Sequence, residues 1–267
     1  RLLRELETNL SLRLEKMPNG RLRVSGKGEL HLSILLETLR REGNELEVSR
    51  PEVITKRVDG RLLEPFEEVT ITVPSVYEGV IIQELGKRLG QLVEMKPLSG
   101  NDTGFVFRMP TRATIGLRGA LLTATRGTAE FSSQVVGYEP MGDPLPKTRQ
   151  GVLVSTETGP ASTFGLNVAQ GRGVTFIEPG TDVYEGMIIG QHSRDNDLKI
   201  NVVKGKKLTN IRSSTSDIAI QLTPPVTFSL EQALGFIEDD ELLEITPRSL
   251  RLRKKVLSAD ERYRLAR

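Results

Sequence analysis

Apolar and polar positions change their period several times along this chain, and each change predicts an element. Residues 1–9, "RLLRELETN", set Leu2, Leu3 and Leu6 on one helical face. "LSLRLEKM" (10–17) and "RLRVSG" (21–26) alternate with period two, and the "PNG" between them is turn chemistry, so the two form a hairpin. "GELHLSILLETLRREG" (28–43) switches to helical spacing, with Leu32, Leu35, Leu36 and Leu39 in one stripe and Gly43 suited to the left-handed position past a helix end. "NELEVSRP" returns to alternation. Helix, strand, strand, helix, strand is a ferredoxin-like split βαβ unit lacking its first strand, as expected of a chain that begins inside a longer protein.

The same order then appears whole. "EEVTITVP" (67–74) is a strand and "EGVIIQELGKRLG" (78–90) a helix with Ile81, Leu85 and Leu89 on one face. "QLVEMKPL" (91–98) and "TGFVFRMP" (103–110) are strands, "IGLRGALLTATRG" (115–127) a second helix, and "TAEFSSQVVGYEP" (128–140) the closing strand. This βαββαβ order predicts a complete ferredoxin-like domain with both helices on one face and Phe105 and Phe107 beneath them. Residues 49–65, "SRPEVITKRVDGRLLEP", read as a strand end plus linker.

From residue 141 the texture changes. "MGDPLPKTRQG" is a Pro/Gly-rich boundary. Short strands are expected at 151–156, 162–170, 173–178, 187–193, 197–203 and 217–222, which places Arg172 on a hairpin tip, "QGRGV". "SLEQALGFI" (229–237) opens with a capping box, Ser229 to Gln232, and "SADERYRLA" with another, Ser258 to Glu261. "ELLEITP" and "SLRLRKK" form a last strand pair. The fold class is therefore α+β: a truncated ferredoxin-like domain over 1–64, a complete one over 65–140, and a mostly-β, barrel-like domain with short helices over 141–267.

Composition narrows the chemistry. A hydrophobic content of 37% is enough to build cores, and no apolar run approaches the ~20 residues of a membrane span. With no Cys, and with His31 and His192 far apart, zinc and thiolate chemistry lack ligands. No G-x-x-x-x-G-K-[ST] phosphate loop occurs; the glycines of "VSGKGELHL" read as a close-packing turn. Asp239 and Asp240 have no basic or metal-binding partner pattern, and no Ser-His-Asp set can be assembled. The sequence thus offers no catalytic, cofactor-binding or metal-ligating residues.

Charge is segregated rather than abundant. Net charge is +2, yet between Leu198 and Ser216 stand Lys199, Lys204, Lys206, Lys207 and Arg212 with no acidic residue. Thr209, Asn210, Ser213, Ser214 and Thr215 add short hydrogen-bonding side chains to this segment, suited to phosphate or 2′-OH groups. Arg118, Arg126 and Arg172 are further candidate phosphate contacts. "TGFVFRM" is faintly similar to an RNA-recognition-motif signature, but aromatics make up only 4% of the chain, which favours burial of those rings over base stacking. The competing reading is a protein-interaction scaffold whose basic loop is merely solvated. Salt-dependent affinity for RNA separates the two.

"RVSGKGELHLSILLETLRREG" closely resembles the third domain of translational GTPases, where elongation factor G carries the GELHL sequence. "EPFEEVTITVPSVYEGVIIQELGKRLGQLVEM" is similar to the fifth domain, with "KRLGQ" closing its first helix. Only the 49–65 connector stands where elongation factor G has its fourth domain. "NVVKGKKLTNIRSSTSD" and "TPPVTFSLEQALGFIEDDELLEITPRSLRLRKK" resemble the ending of the BipA/TypA GTPases; the elongation factor 4 (LepA) family shares the early domains but ends differently. The resemblance covers essentially the whole chain. It implies the C-terminal portion of a ribosome-associated GTPase acting in large-subunit assembly, especially under cold or other stress, and binding the A site in its GTP form. The implied partners are the ribosome, rRNA and the acceptor end of A-site tRNA, with 204–217 as the RNA-contacting loop. By the same resemblance GTP and Mg belong to an N-terminal domain and no cofactor to this chain. A cytoplasmic, monomeric fragment without a membrane partner is expected.

Overall fold

The computed structural model describes residues 1–147, 149–205 and 221–265. In chain order its elements begin with α1 (Leu2–Thr8), β1 (Arg13–Lys16), β2 (Leu22–Ser25), α2 (Glu29–Arg41), β3 (Leu46–Ser49), β4 (Lys56–Val58) and β5 (Arg61–Pro74). They continue with α3 (Glu78–Lys87), β6 (Gln91–Pro97), β7 (Asp102–Pro110), α4 (Thr111–Thr114), α5 (Leu117–Ala124) and β8 (Glu130–Pro140). Then come β9 (Val152–Ser155), β10 (Gly159–Pro160), α6 (Thr163–Gln170), β11 (Gly173–Thr175), β12 (Asp182–Val183), β13 (Met187–His192) and β14 (Leu198–Ile200). The last are α7 (Leu230–Phe236), β15 (Glu241–Ile245), β16 (Leu250–Lys254) and α8 (Ala259–Leu265).

Two compact units result. One comprises Arg1–Glu37, Pro51–Thr148 and Leu234–Phe236; the other comprises Thr38–Arg50, Arg149–Ala233 and Ile237–Arg267. In the first, β8, β5, β7 and β6 lie side by side in that order, all antiparallel. That is the strand order of a ferredoxin-like βαββαβ domain. Alternation along β5 and β7 decides which face is dry. Val69, Ile71 and Val73 stand opposite Phe107, Phe105 and Thr103, and they pack with Ile81 and Leu85 of α3 and Leu117 and Leu121 of α5. Phe105 and Phe107 are 0% and 2% exposed, so neither ring is available to stack on a base.

The expected 115–127 helix starts later, at Leu117. Gly116 adopts φ 68° and breaks it from α4. The 49–65 stretch holds more than a linker: β4 folds back on the start of β5 as a hairpin. β1 and β2 form the expected hairpin as a separate two-stranded sheet.

The second unit is built on a sheet in the order β14-β9-β13-β16-β15-β3, with β11 also on β13. Its strands are antiparallel except for β14 beside β9. β3, read from the sequence as part of the first split unit, pairs with β15 from Leu46↔Ile245 to Ser49↔Leu242. The α+β class holds, and the sheets of the described residues are open, with no closed barrel.

Where a strand is expected at 162–170, Thr163–Gln170 form the helix α6. Phe164, Leu166 and Val168 imitate a period of two, but it is Gly165, Leu166 and Ala169 that are buried, the spacing of a helix face. Ser162 starts the helix by accepting a hydrogen bond from the Gly165 amide. Arg172 consequently follows a helix and does not sit on a hairpin tip. α7 has the capping box expected at Ser229 and Gln232, and β15 and β16 form the expected pair. Most of the strand expected at 217–222 lies outside the described residues.

Candidate nucleic-acid interface

The described chain on either side of residues 206–220, just after β14 and at Thr223, is fastened to one short helix at both points. At the first, Asn201 Oδ1 accepts from the amides of Val203 (3.1 Å) and Lys204 (3.0 Å). The Ser162 amide donates to the Val202 carbonyl at 2.8 Å, and Ser162 Oγ donates to the Lys204 carbonyl at 2.7 Å. At the second, Gln170 Nε2 donates to the Thr223 carbonyl at 2.7 Å while its Oε1 accepts from the Thr223 amide at 2.9 Å. Ser162 caps the N-terminus of α6 and Gln170 is its last residue. Eight residues of α-helix span about 12 Å, so α6 sets the separation of the segment's two ends.

Packing explains why α6 can hold this place. A Cβ built on Gly165 would stand 2.3 Å from the Val202 carbonyl oxygen, so glycine is what lets the helix lie against the chain that leads out of β14. Leu166, Ala169, Ile200 and Val202 share one core cluster beneath.

A knot of buried charge fixes the start of β14. Lys254 Nζ, with a side chain 3% exposed, lies 2.6 Å from Asp197 Oδ2, 2.8 Å from Asp240 Oδ2 and 2.9 Å from Glu241 Oε1. Arg149 adds a second cation at 2.5 Å from Glu241 Oε2. Burial alone would lower the Lys254 pKa, but Glu241, Asp197 and Asp240 together raise it above its ordinary value. Burial alone would raise that of Asp197. The hydrogen bonds from Lys254 and from the Val152 amide outweigh it and hold this carboxyl below its ordinary range. Asp197 is two residues from Lys199, so the knot also positions that candidate contact.

Lys199, Lys204 and Arg172 are exposed on this unit. Lys199 Nζ donates to the Ala259 carbonyl at 3.4 Å. The Arg172 amide donates to Ala169 and its carbonyl accepts from Ser193, so the backbone of that turn is tied down while the guanidinium faces water. Lys206, Lys207, Thr209, Asn210, Arg212, Ser213 and Ser214 lie outside the described residues. Arg118 and Arg126 belong to the other unit. Arg118 is exposed in the first turn of α5, and Arg126 is exposed just past its end at φ 54°. Other arginines there serve the fold. Arg112 Nε lies 2.6 Å from buried Glu64, and Arg88 bonds Glu84 and the carbonyls of Ala113 and Ile115.

Sequence reading missed Ser162, Gln170 and Asn201, the three side chains that anchor the segment. Ser162 ahead of a buried-glycine turn was a legible helix start; the long-range partners of Gln170 and Asn201 left no local trace. Among the described residues no group of His, Asp or Glu could hold a metal ion, and no helix is long and apolar enough to cross a membrane.

A ferredoxin-like unit followed by a β-rich unit with an exposed basic exit defines the class, the C-terminal region of an elongation-factor-G-like protein. The elongation factor G C-terminus family matches residues 61–149. The TypA/BipA C-terminal domain matches residues 150–259, and the chain belongs to the TypA/BipA family. It is 48% identical over its full length to the large ribosomal subunit assembly factor BipA of Haemophilus influenzae and 45% identical to that of Bacillus subtilis. The chain spans 44% of the length of each of these relatives.

Proposed function

We propose that this chain is the RNA-contacting part of a translational GTPase that acts in assembly of the large ribosomal subunit and in stress-adapted translation. Residues 204–217 contact rRNA and the acceptor end of A-site tRNA. GTP and Mg act in an N-terminal domain of the whole protein, which works in the cytoplasm. The observation that carries the reading is the double anchorage on α6. Ser162 and Gln170 hold the two ends of a segment rich in cations and hydroxyls. The side chains between these fixed ends are of the kinds that bind phosphate and 2′-OH groups. The relatives' name, large ribosomal subunit assembly factor, supports a ribosomal partner.

The test replaces Lys204, Lys206, Lys207 and Arg212 by Ala in the full-length GTPase and follows co-sedimentation with large subunits against salt. Folding should be nearly unchanged, because exposed charges contribute little to it. The slope of log K against log salt should flatten by roughly 3 to 4 units, at ~0.7–0.9 per phosphate contact. An unchanged affinity and slope would remove the loop from the interface.

A further inference from the structure

The hairpin of β4 and β5 carries three cations with no carboxylate partner among the described residues. Lys56, Arg57 and Arg61 are exposed, and none has a carboxylate within ion-pairing distance among the described residues. In the same unit Arg88, Arg108 and Arg112 are each paired with a glutamate. Asp59 is the one acidic residue in the paired stretch 56–63 of the hairpin. It stands at the turn with φ 50°, followed by Gly60 at φ 76°. Two successive positive φ values at Asp-Gly mark a type I′ turn, whose twist matches that of the flanking strands. The hairpin is therefore stiff at its tip. It is stiff at its base as well, since β5 runs on as a central strand of the five-stranded sheet.

Register places the charges. Lys56 opposes Leu63 and Val58 opposes Arg61, so Lys56 and Arg61 share one face of the ribbon; Arg57, opposite Leu62, is on the other. Lys56 Nζ also sits 3.9 Å above the Tyr138 ring, which directs its stem along that face. A flat acidic protein surface would meet one face only. Cations on both faces of a narrow ribbon suit a cleft walled by phosphate on either side, as between two neighbouring backbones of a folded RNA, where contacts go to phosphate and not to base edges. We infer that the β4–β5 hairpin is a second RNA-binding element, inserted between phosphate strands of structured RNA through Lys56, Arg57 and Arg61. The inference rests on the proposed RNA-binding function and adds to it a contact in the unit that lacks the basic loop.

The test uses the whole 267-residue chain and a labelled stem-loop RNA, titrated from roughly 50 to 200 mM salt. Lys56→Gln, Arg57→Gln and Arg61→Gln together should leave the melting temperature unchanged and lower the salt slope by about 2–3 units. Across that fourfold salt range the wild type should then lose roughly 16- to 64-fold more affinity than the variant. Gly60→Val, which keeps every charge but strains the turn, should also weaken binding. A control removing Arg13, Lys16 and Arg21 from the β1–β2 hairpin should change the slope less. An unchanged slope in the first variant, an equal effect in the control, or displacement of the RNA by polyglutamate in the wild type but not in the variant would overturn the inference. Failure of the wild type to bind RNA at any salt would instead overturn the functional reading on which it depends.

Discussion

Lys254 shows how a single side chain couples charge to architecture. Its ammonium is buried on β16 and reaches carboxylates from three places: Asp197 ahead of β14, Asp240 in the turn before β15, and Glu241 on β15 itself. Because its pKa is raised on folding, its contribution to stability is complete below the unfolded value near 10.5 and is lost as pH rises through the higher folded value. Asp197 is depressed instead, so its contribution is present above its unfolded value of 3.8 and is lost as pH falls below that. Urea unfolding of the wild type should therefore weaken at both extremes of pH. In Lys254→Met the alkaline arm due to this group should disappear. Near pH 7 the variant should be about 3–5 kcal/mol less stable, since Glu241 keeps Arg149 and the Glu238 amide on Oε2 but loses the cation at Oε1. A stability unchanged near neutrality would mean that Arg149 and the Glu238 amide suffice for the buried carboxylate.

At the scale of elements, α6 is the piece on which the candidate interface depends. It is also the piece that the sequence pattern misassigned. Phe164, Leu166 and Val168 alternate as a strand would, but Phe164 is only partly buried and Val168 is exposed, so the alternation does not correspond to burial. Tertiary packing decided the matter, through a glycine that no periodicity template counts. Gly165→Val should push α6 off Val202 and destabilise the chain by about 1–3 kcal/mol, the usual cost of overpacking. It should also move the resonances of Lys199 and Lys204 in a heteronuclear NMR spectrum while leaving those of β5 and β7 in place. Shifts of equal size in both units would show that the effect is not local to α6. The ferredoxin-like unit, by contrast, was legible almost entire, because alternation on β5 and β7 and the stripes of α3 and α5 all indicate one buried face. The β4–β5 hairpin was only half legible. Its Asp-Gly turn was a clear signal, but Lys56–Val58 is too short and too polar to announce a strand. Lys199, Lys204 and Arg172 were readable as charged positions, and what holds them in place was not. Lys254 gave no sign in the sequence of the charge it would be buried among.

On the scale of the whole molecule, net charge says little and its distribution says more. Many cations are consumed by carboxylates that hold the fold, as at Arg112, Arg149 and Lys254. Those left in water include Lys199 and Lys204 after β14, Arg172 beyond α6, and Lys56, Arg57 and Arg61 on the β4–β5 hairpin. This division predicts how the chain should respond to nucleotide. Guanine nucleotide is recognised in related chemistry by a glycine-rich phosphate loop with Lys and Ser or Thr, a pattern the sequence lacks. RNA affinity of this chain is expected to come from cations placed by the fold. Titration with GTP or GDP should therefore give no calorimetric signal of tight binding, and the affinity for a stem-loop RNA should be the same in either nucleotide while falling steeply with salt. If GTP but not GDP strengthened RNA binding by this chain alone, a nucleotide site would have to exist within it. The exposed cations would then be candidates for triphosphate contacts, and their assignment to RNA would fail.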